Sequence, residues 1–248
     1  MSQFTSGLDA LNALNATNEG GGSGREFTSI KSGSKFLVKV VDKTAVQMAY
    51  SFGIFKQINS FVAKNPSTRS ATGWPTDNLT PWDKAFLYHK NKSKDFNDEH
   101  GQEASKYRAK QRFAMAFFDI DQGDYIIVDL SKKQAQAIAA TITKYEKKLG
   151  KLAFELAKEG TGTATTVSLS PVLDMDDDLT DKQRENFAKA PAEFDHAIFN
   201  GIWYEQDEAQ MVTLLRQAGF DVTLIGYSAS SDASETNEQP PSEESYDF

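Results

Sequence analysis

The 248-residue chain reads as a mainly β protein with α insertions, its core a small five-stranded barrel or curled sheet. Three observations predict this. From about residue 35 apolar and polar residues alternate with a period of two. Two turn signals, Asp121-Gln122-Gly123-Asp124 and Gly160-Thr161-Gly162, each separate a pair of strand-like runs. One long amphipathic helix lies between those two pairs.

The elements follow in order. Phe4, Leu8, Leu11 and Leu14 form a short helical stripe, and Gly20-Gly21-Gly22-Ser23-Gly24 follows as a linker. The linker lacks the Lys-Ser/Thr pair of a phosphate loop. Residues 1–24 are therefore a flexible arm, suited to a frayed end or to a hook onto a neighbouring subunit. Lys35 to Val41 and Val46 to Phe52 are strands rich in β-branched residues, Phe55 to Val62 is ambiguous, and Pro66 to Pro75 is loop. Thr80-Pro81-Trp82-Asp83 starts a helix that runs to about His89, with Thr80 as N-cap and Pro81 at its first position. Residues 90–105 are polar and expected to be mobile. Arg112 to Ile120 and Tyr125 to Leu130 make the first hairpin. Ser131 caps the long helix over 131–149, with Ile138, Ile142, Tyr145 and Leu149 on one face. Lys151 to Lys158 and Thr165 to Val172 make the second hairpin. Weaker helices are expected at 181–189 and 205–217, then a last strand over Asp221 to Gly226. Two strand pairs joined by a helix fit a five-stranded OB-type barrel. A ferredoxin-like or other α+β sheet fits as well. The core domain spans 25–227.

Charge divides the chain. Residues 1–158 hold 23 Lys and Arg against 16 Asp and Glu, and residues 159–248 hold 4 against 19. The overall −8 conceals a basic N-terminal part, which points to a polyanion ligand. The last 21 residues, 228–248, carry six acids and no base and end on Phe248. Such a tail does not fold alone. It is either a solubiliser or a polyanion that competes for a basic groove, with Glu243, Glu244, Asp247 and Phe248 as contacts for a partner protein. Absence of cysteine excludes disulfides, thiolate zinc sites and cysteine nucleophiles. No apolar run approaches membrane-spanning length, and no signal peptide is evident.

Cations and aromatic rings interleave over 82–113: Lys84, Lys90, Lys92, Lys94, Lys106, Arg108, Lys110 and Arg112 with Trp82, Phe86, Tyr88, Phe96, Tyr107 and Phe113. Single-stranded nucleic acid needs cations along its phosphates and ring faces under its bases. A second basic stretch includes Lys35 and Lys39, with Tyr50 and Phe52 nearby and Arg69 and Trp74 in the following loop. Some of the rings belong to the core, Phe86 and Phe113 first among them. Catalytic signals are weak. Asp119, Asp121 and Asp124 fit a hairpin turn better than a metal site. Asp174 to Asp178 lacks the ligand spacing of an EF-hand, and His89, His100 and His196 form no close-spaced pair.

Three segments and the tail resemble the single-stranded DNA-binding proteins of tailed bacteriophages. These are Asn78-Leu79-Thr80-Pro81-Trp82-Asp83-Lys84, Phe117 to Ile120 with Val128 to Gln134, and Phe154 to Gly160, followed by the terminal Asp247-Phe248. The resemblance implies an OB-fold core and sequence-independent ssDNA binding without enzymatic activity, in the cytoplasm of an infected bacterial host. It also implies tail contacts with replication and recombination proteins (polymerase, helicase/primase or recombinase) and cooperative self-association through the arm. The chain lacks a Cys/His zinc module, so no metal or cofactor is expected. No Lys or Arg precedes Arg25, which makes an apolar hook more plausible than an electrostatic one. The rival readings are a metal-dependent ssDNA nuclease built on Asp119, Asp121 and Asp124, and a phage structural or interaction protein that binds no nucleic acid.

Overall fold

The computed structural model describes residues 25–229. The stripe at Phe4 to Leu14 and the contacts expected of Glu243, Glu244, Asp247 and Phe248 lie outside the described residues.

The fold is mixed α/β, and eight strands of the described residues form one sheet. Strand β1 (Lys35–Lys39) is followed by β2 (Val46–Ile54) and β3 (Ile58–Ala63). The short strands β4 (Thr68–Arg69) and β5 (Pro75–Asp77) form a separate hairpin. Helices α1 (Pro81–Lys92) and α2 (Glu99–Tyr107) lead into strands β6 (Lys110–Asp119) and β7 (Asp124–Ser131). Helix α3 (Lys132–Lys144) joins them to the hairpin of β8 (Phe154–Glu159) and β9 (Thr166–Pro171). The chain ends in α4 (Met175–Asp178), α5 (Asp181–Lys189), β10 (Glu205–Gln206) and α6 (Glu208–Gln217).

Strand β6 is the hub. Along one edge it pairs with β7, from Arg112↔Ser131 to Asp119↔Asp124. Along the other it pairs first with β2, from Ser51↔Lys110 to Val46↔Met115, and then with β1 at Lys39↔Phe118. Strand β1 also pairs with β8, and β8 with β9. Past β2 the sheet continues through β3 to β10. The sheet is thus larger than five strands, and it is not closed into a barrel. One reason is visible at β7, where Thr28 N donates to Ile127 O (2.7 Å), so the incoming chain occupies that edge.

Alternation along β6 sorts the core. Met115 and Phe117 face inward, where they pack with Val38, Val128, Leu130, Phe154, Leu156, Val167 and Leu169 beneath Ile138 and Ile142 of α3. Strands β7 and β9 share this core although no ladder joins them. Ala114 and Ala116 face outward and are covered by Phe194, Phe199 and Ile202. Phe118 and Ile120 continue that outer face under Leu179, Phe187 and Ala190. A further core joins the ends of β2 and β3 to α1, α2 and α6 around Trp82 and Tyr107.

The capping chemistry anticipated for two helices is present. The Thr80 side chain accepts from Asp83 N, and Ser131 forms a capping box with Gln134. Helix α3 stops earlier than 149, and a 3₁₀ turn at Glu146–Lys148 completes the stripe. Two expectations fail. Residues 90–105 include helix α2, nucleated by Asp98, whose side chain accepts from Gly101 N. Gly101 is required there because a Cβ would stand 2.4 Å from Asp95 O. The last segment, Val222–Ile225, is a 3₁₀ turn rather than a strand, capped by Asp221 and closed by Gly226 at φ 91°.

Candidate nucleic-acid interface

The residues nominated from sequence separate into three groups. Four are buried and belong to the fold. Phe52 stacks on Phe61 with centroids 5.6 Å apart. Trp82 is fully buried among Phe52, Phe61 and Tyr107, and its Nε1 donates to Met211 O at 3.0 Å. Tyr107 lies against Trp82, His89 and Phe220, and burial pushes its hydroxyl up to about 12. The Arg69 guanidinium is inside, paired with the fully buried Asp83 at 2.7 Å. None of these four presents itself to a ligand; the helical stripe Trp82, Ala85, Phe86 draws the rings of α1 into the core.

The second group is engaged with other parts of the chain. Lys35 pairs with Glu155 at 3.0 Å, beside Asp121 and Asp178. Lys39 donates to Phe187 O at 3.0 Å and lies over the Phe187 ring, and burial lowers its pKa. Both lysines sit on the outer face, Lys35 near Asp178 and Lys39 against Phe187 of the C-terminal segment. Lys84 donates to Tyr227 Oη (3.0 Å), which in turn donates to Glu208. Lys106 pairs with Glu103. Arg112 pairs with Asp129 at 2.8 Å. Lys92 donates to Tyr88 Oη at 2.5 Å and covers that half-buried ring.

The third group faces solvent. Lys90, Lys94 and Arg108 are exposed and form no ion pair among the described residues. Lys110 is exposed at the start of β6, opposite Ser51. Trp74 is 40% exposed and meets Phe86 edge-on at 5.2 Å. Tyr50 is half-buried, and its hydroxyl accepts from Gln111 Nε2 at 2.9 Å. A Cβ on Gly73 would stand 2.9 Å from Tyr50 Oη, so the turn that carries Trp74 lies directly against Tyr50.

Tyr50 belongs to a strip that sequence reading missed. Val46, Met48 and Tyr50 alternate along one face of β2, opposite Met115, Phe113 and Gln111 of β6. This is the inner face, but here the sheet has run past the core under α3. Val46 is 37% and Met48 45% exposed, and Phe113 is half-buried. Lys132 and Lys133 are exposed at the start of α3, directly after Ser131, which is paired with Arg112 at the same end of β6. The missed signal was the apolar parity Val46, Met48, Tyr50 in a strand whose intervening positions are Gln47 and Ala49.

The acidic candidates do not converge. Asp119 accepts from the amides of Asp121 and Gln122, and burial pushes its carboxyl up against the pull of those bonds. Asp121 accepts from Gln183, and Asp124 is paired with Arg25 at 2.8 Å. Among the described residues no three His, Asp or Glu side chains are grouped to hold a metal ion. Asp174 caps α4. His89 and His100 do meet, Nδ1 to Nδ1 at 2.9 Å, across the α1–α2 joint. No protein-family model, curated protein or solved structure matches the chain.

Proposed function

We propose that this chain is a non-enzymatic, sequence-independent single-stranded DNA-binding protein that coats and protects single strands in phage DNA replication and recombination, within the host cytoplasm. The strip Val46, Met48, Tyr50 with the Trp74 ring beside it carries the reading. It is an open apolar and aromatic surface with exposed cations at its end of the sheet. Unstacked bases need such a surface, and paired bases cannot use it. Lys110, Lys132, Lys133 and Arg108 are assigned to phosphate, and Tyr50 and Trp74 to base stacking. Lys90 and Lys94 extend the basic surface.

The fold is consistent with this role. We read strands β7-β6-β1-β8-β9, with a helix between β7 and β8, as an OB-type arrangement in which the end strands β7 and β9 do not pair. Residues 46–109 and the C-terminal segment are then additions to that core. The tail is assigned to recruitment of replication proteins, and the N-terminal arm to self-association through its apolar stripe.

The test is a titration of oligo-dT of about 30 nucleotides at two salt concentrations, followed by tryptophan fluorescence. A single strand releases counterions with a slope of about −0.7 per neutralised phosphate. Four to six contacts therefore predict a slope between roughly −3 and −4 in log affinity against log salt. Equal affinity at both concentrations, or duplex bound more tightly than single strand, rejects the proposal.

A further inference from the structure

Arg69 was a candidate phosphate contact by residue type, yet its guanidinium is buried and engaged inside the protein. Nη2 donates to both carboxylate oxygens of Asp83, at 2.9 and 2.7 Å. Nη1 donates to Gly73 O at 3.2 Å. Nε is buried without a partner, so it offers no edge to solvent. The guanidinium plane lies over the Tyr50 ring, 4.3 Å from its centroid. The side chain is only 7% exposed. No phosphate can reach it.

Its four contacts nonetheless join the parts of the proposed stacking surface. Asp83 is anchored at the N-terminus of α1, where its Oδ2 also accepts from Ser67 Oγ (2.6 Å) and Thr80 Oγ1 (3.0 Å). Gly73, at φ 81°, is the turn residue before Trp74. That turn closes on itself through Gly73 N to Ser70 O (2.8 Å), Ser70 N to Trp74 O (2.8 Å) and Trp74 N to Ser70 Oγ (3.1 Å). One planar fork therefore fixes the turn against helix α1 from one side and against the Tyr50 ring from the other. Lysine, a point charge without a fork or a stacking plane, cannot do both.

We infer that Arg69 is a positioning residue that holds Trp74 and Tyr50 as a preassembled two-ring base platform; this rests on the ssDNA-binding reading. A preformed platform does not have to be ordered when the strand binds, and that difference appears in affinity. Loss of the arrangement removes stacking but no phosphate contact.

The experiment is a double-mutant cycle of Arg69→Lys and Trp74→Ala in the full-length protein, with a fluorescein-labelled oligo-dT read by anisotropy over a salt series. Arg69→Lys should weaken binding roughly tenfold, within the range that stacking one base provides. The salt slope should stay as in the wild type. Adding Trp74→Ala should weaken the Arg69→Lys protein far less than it weakens the wild type, because both changes remove the same contact. Iodide should quench the free Arg69→Lys protein more than the wild type as Trp74 loosens. A slope reduced by about 0.7 would make Arg69 a phosphate contact, and fully additive losses would make it independent of Trp74; either overturns the role. Should Arg69→Lys not fold, Arg69→Met with Asp83→Leu leaves no buried charge and undergoes the same comparison. Wild-type protein that binds no oligo-dT overturns the ssDNA reading itself and this role with it, whereas the quenching change alone persists if only the ligand was misassigned.

Discussion

Trp82 and Trp74 lie eight residues apart and should separate stability from binding. Trp82 is fully buried, touches Phe52, Phe61 and Tyr107, and donates its indole N–H to the Met211 carbonyl. Truncating a core Trp to Ala costs about 3–5 kcal/mol, and losing the indole hydrogen bond adds about 1 kcal/mol. For a domain of this size each kcal/mol lowers Tm by roughly 2–4 °C, so Trp82→Ala should lose on the order of 10–20 °C. Trp74 has one ring neighbour, Phe86, and a solvent-facing edge. Its truncation should cost about 1 kcal/mol of stability. If a base stacks on it, about 1–3 kcal/mol of binding goes with it, a weakening of roughly 5- to 150-fold. Urea unfolding measures the first quantity, and anisotropy of labelled oligo-dT at fixed salt measures the second. The reasoning is refuted if Trp74→Ala lowers the urea midpoint as much as Trp82→Ala while the folded fraction keeps its affinity.

His89 should make stability pH-dependent. Burial first, and the proximity of His100, Lys92 and Lys106 after it, lower the His89 pKa, with Glu103 opposing. A depressed histidine stays neutral in the fold while the unfolded chain takes up a proton below about pH 6.5. The unfolded state then binds more protons, so stability falls as pH drops through that value. Tm should decline more steeply below pH 6.5 in wild type than in His89→Asn, and parallel curves would reject the assignment. Removing residues 230–248, which carry six acids and no base, should tighten ssDNA binding at low salt, since a tethered polyanion competes with phosphate. The gain should shrink as screening shortens to roughly 10 Å near 0.1 M salt; a truncated protein that binds no better at low salt would leave the tail as a solubiliser.

Local signals in the sequence carried well where the chemistry was local. The hairpin of β6 and β7 followed from alternation and the Asp-Gln-Gly-Asp turn, and helix α3 from the Ser131 cap and the apolar stripe through Ile138 and Ile142. Helix α2 escaped because its buried face is Gly101, Ala104 and Tyr107 only, too thin a stripe in a polar segment. The placement of site residues was less legible for a related reason. Interleaved rings and cations over 82–113 cannot say which side of a helix is inside, and the answer came from α6 and β3, distant in sequence. Arg69 meets Asp83 across 14 residues, and Lys39 meets Phe187 across 148. Such contacts turn an apparent ligand cation into a strut, and nothing in the local pattern marks them. Met48 and Val46 were passed over for the opposite reason: an apolar residue in a strand reads as core, and only the extension of β2 beyond the cover of α3 leaves it exposed.

The two faces of the sheet have opposite electrostatic characters, and that bears on where a strand would land. The outer face is closed by residues 173–204, which hold eight acids and three bases. Lys35 and Lys39, on the same face, are already engaged there. A polyanion meets both steric closure and repulsion on that side. The inner face is filled by α3 over most of its length, and the described residues leave the β2–β6 extension open, with Lys132 and Lys133 at the same end of the sheet. On the proposed function, charge would steer an approaching strand toward this stretch, which the described residues leave uncovered, since clefts lined by one sign of charge concentrate the opposite ion. Neutralising Lys132 and Lys133 together, as Lys132→Gln and Lys133→Gln, should lower the salt slope by about 1.4 if each contacts a phosphate. The same substitutions at Lys35 and Lys39 should leave the slope unchanged. The reverse outcome, a slope that responds to the outer-face pair and ignores the α3 pair, would place the strand on the covered side and refute the assignment of the open strip.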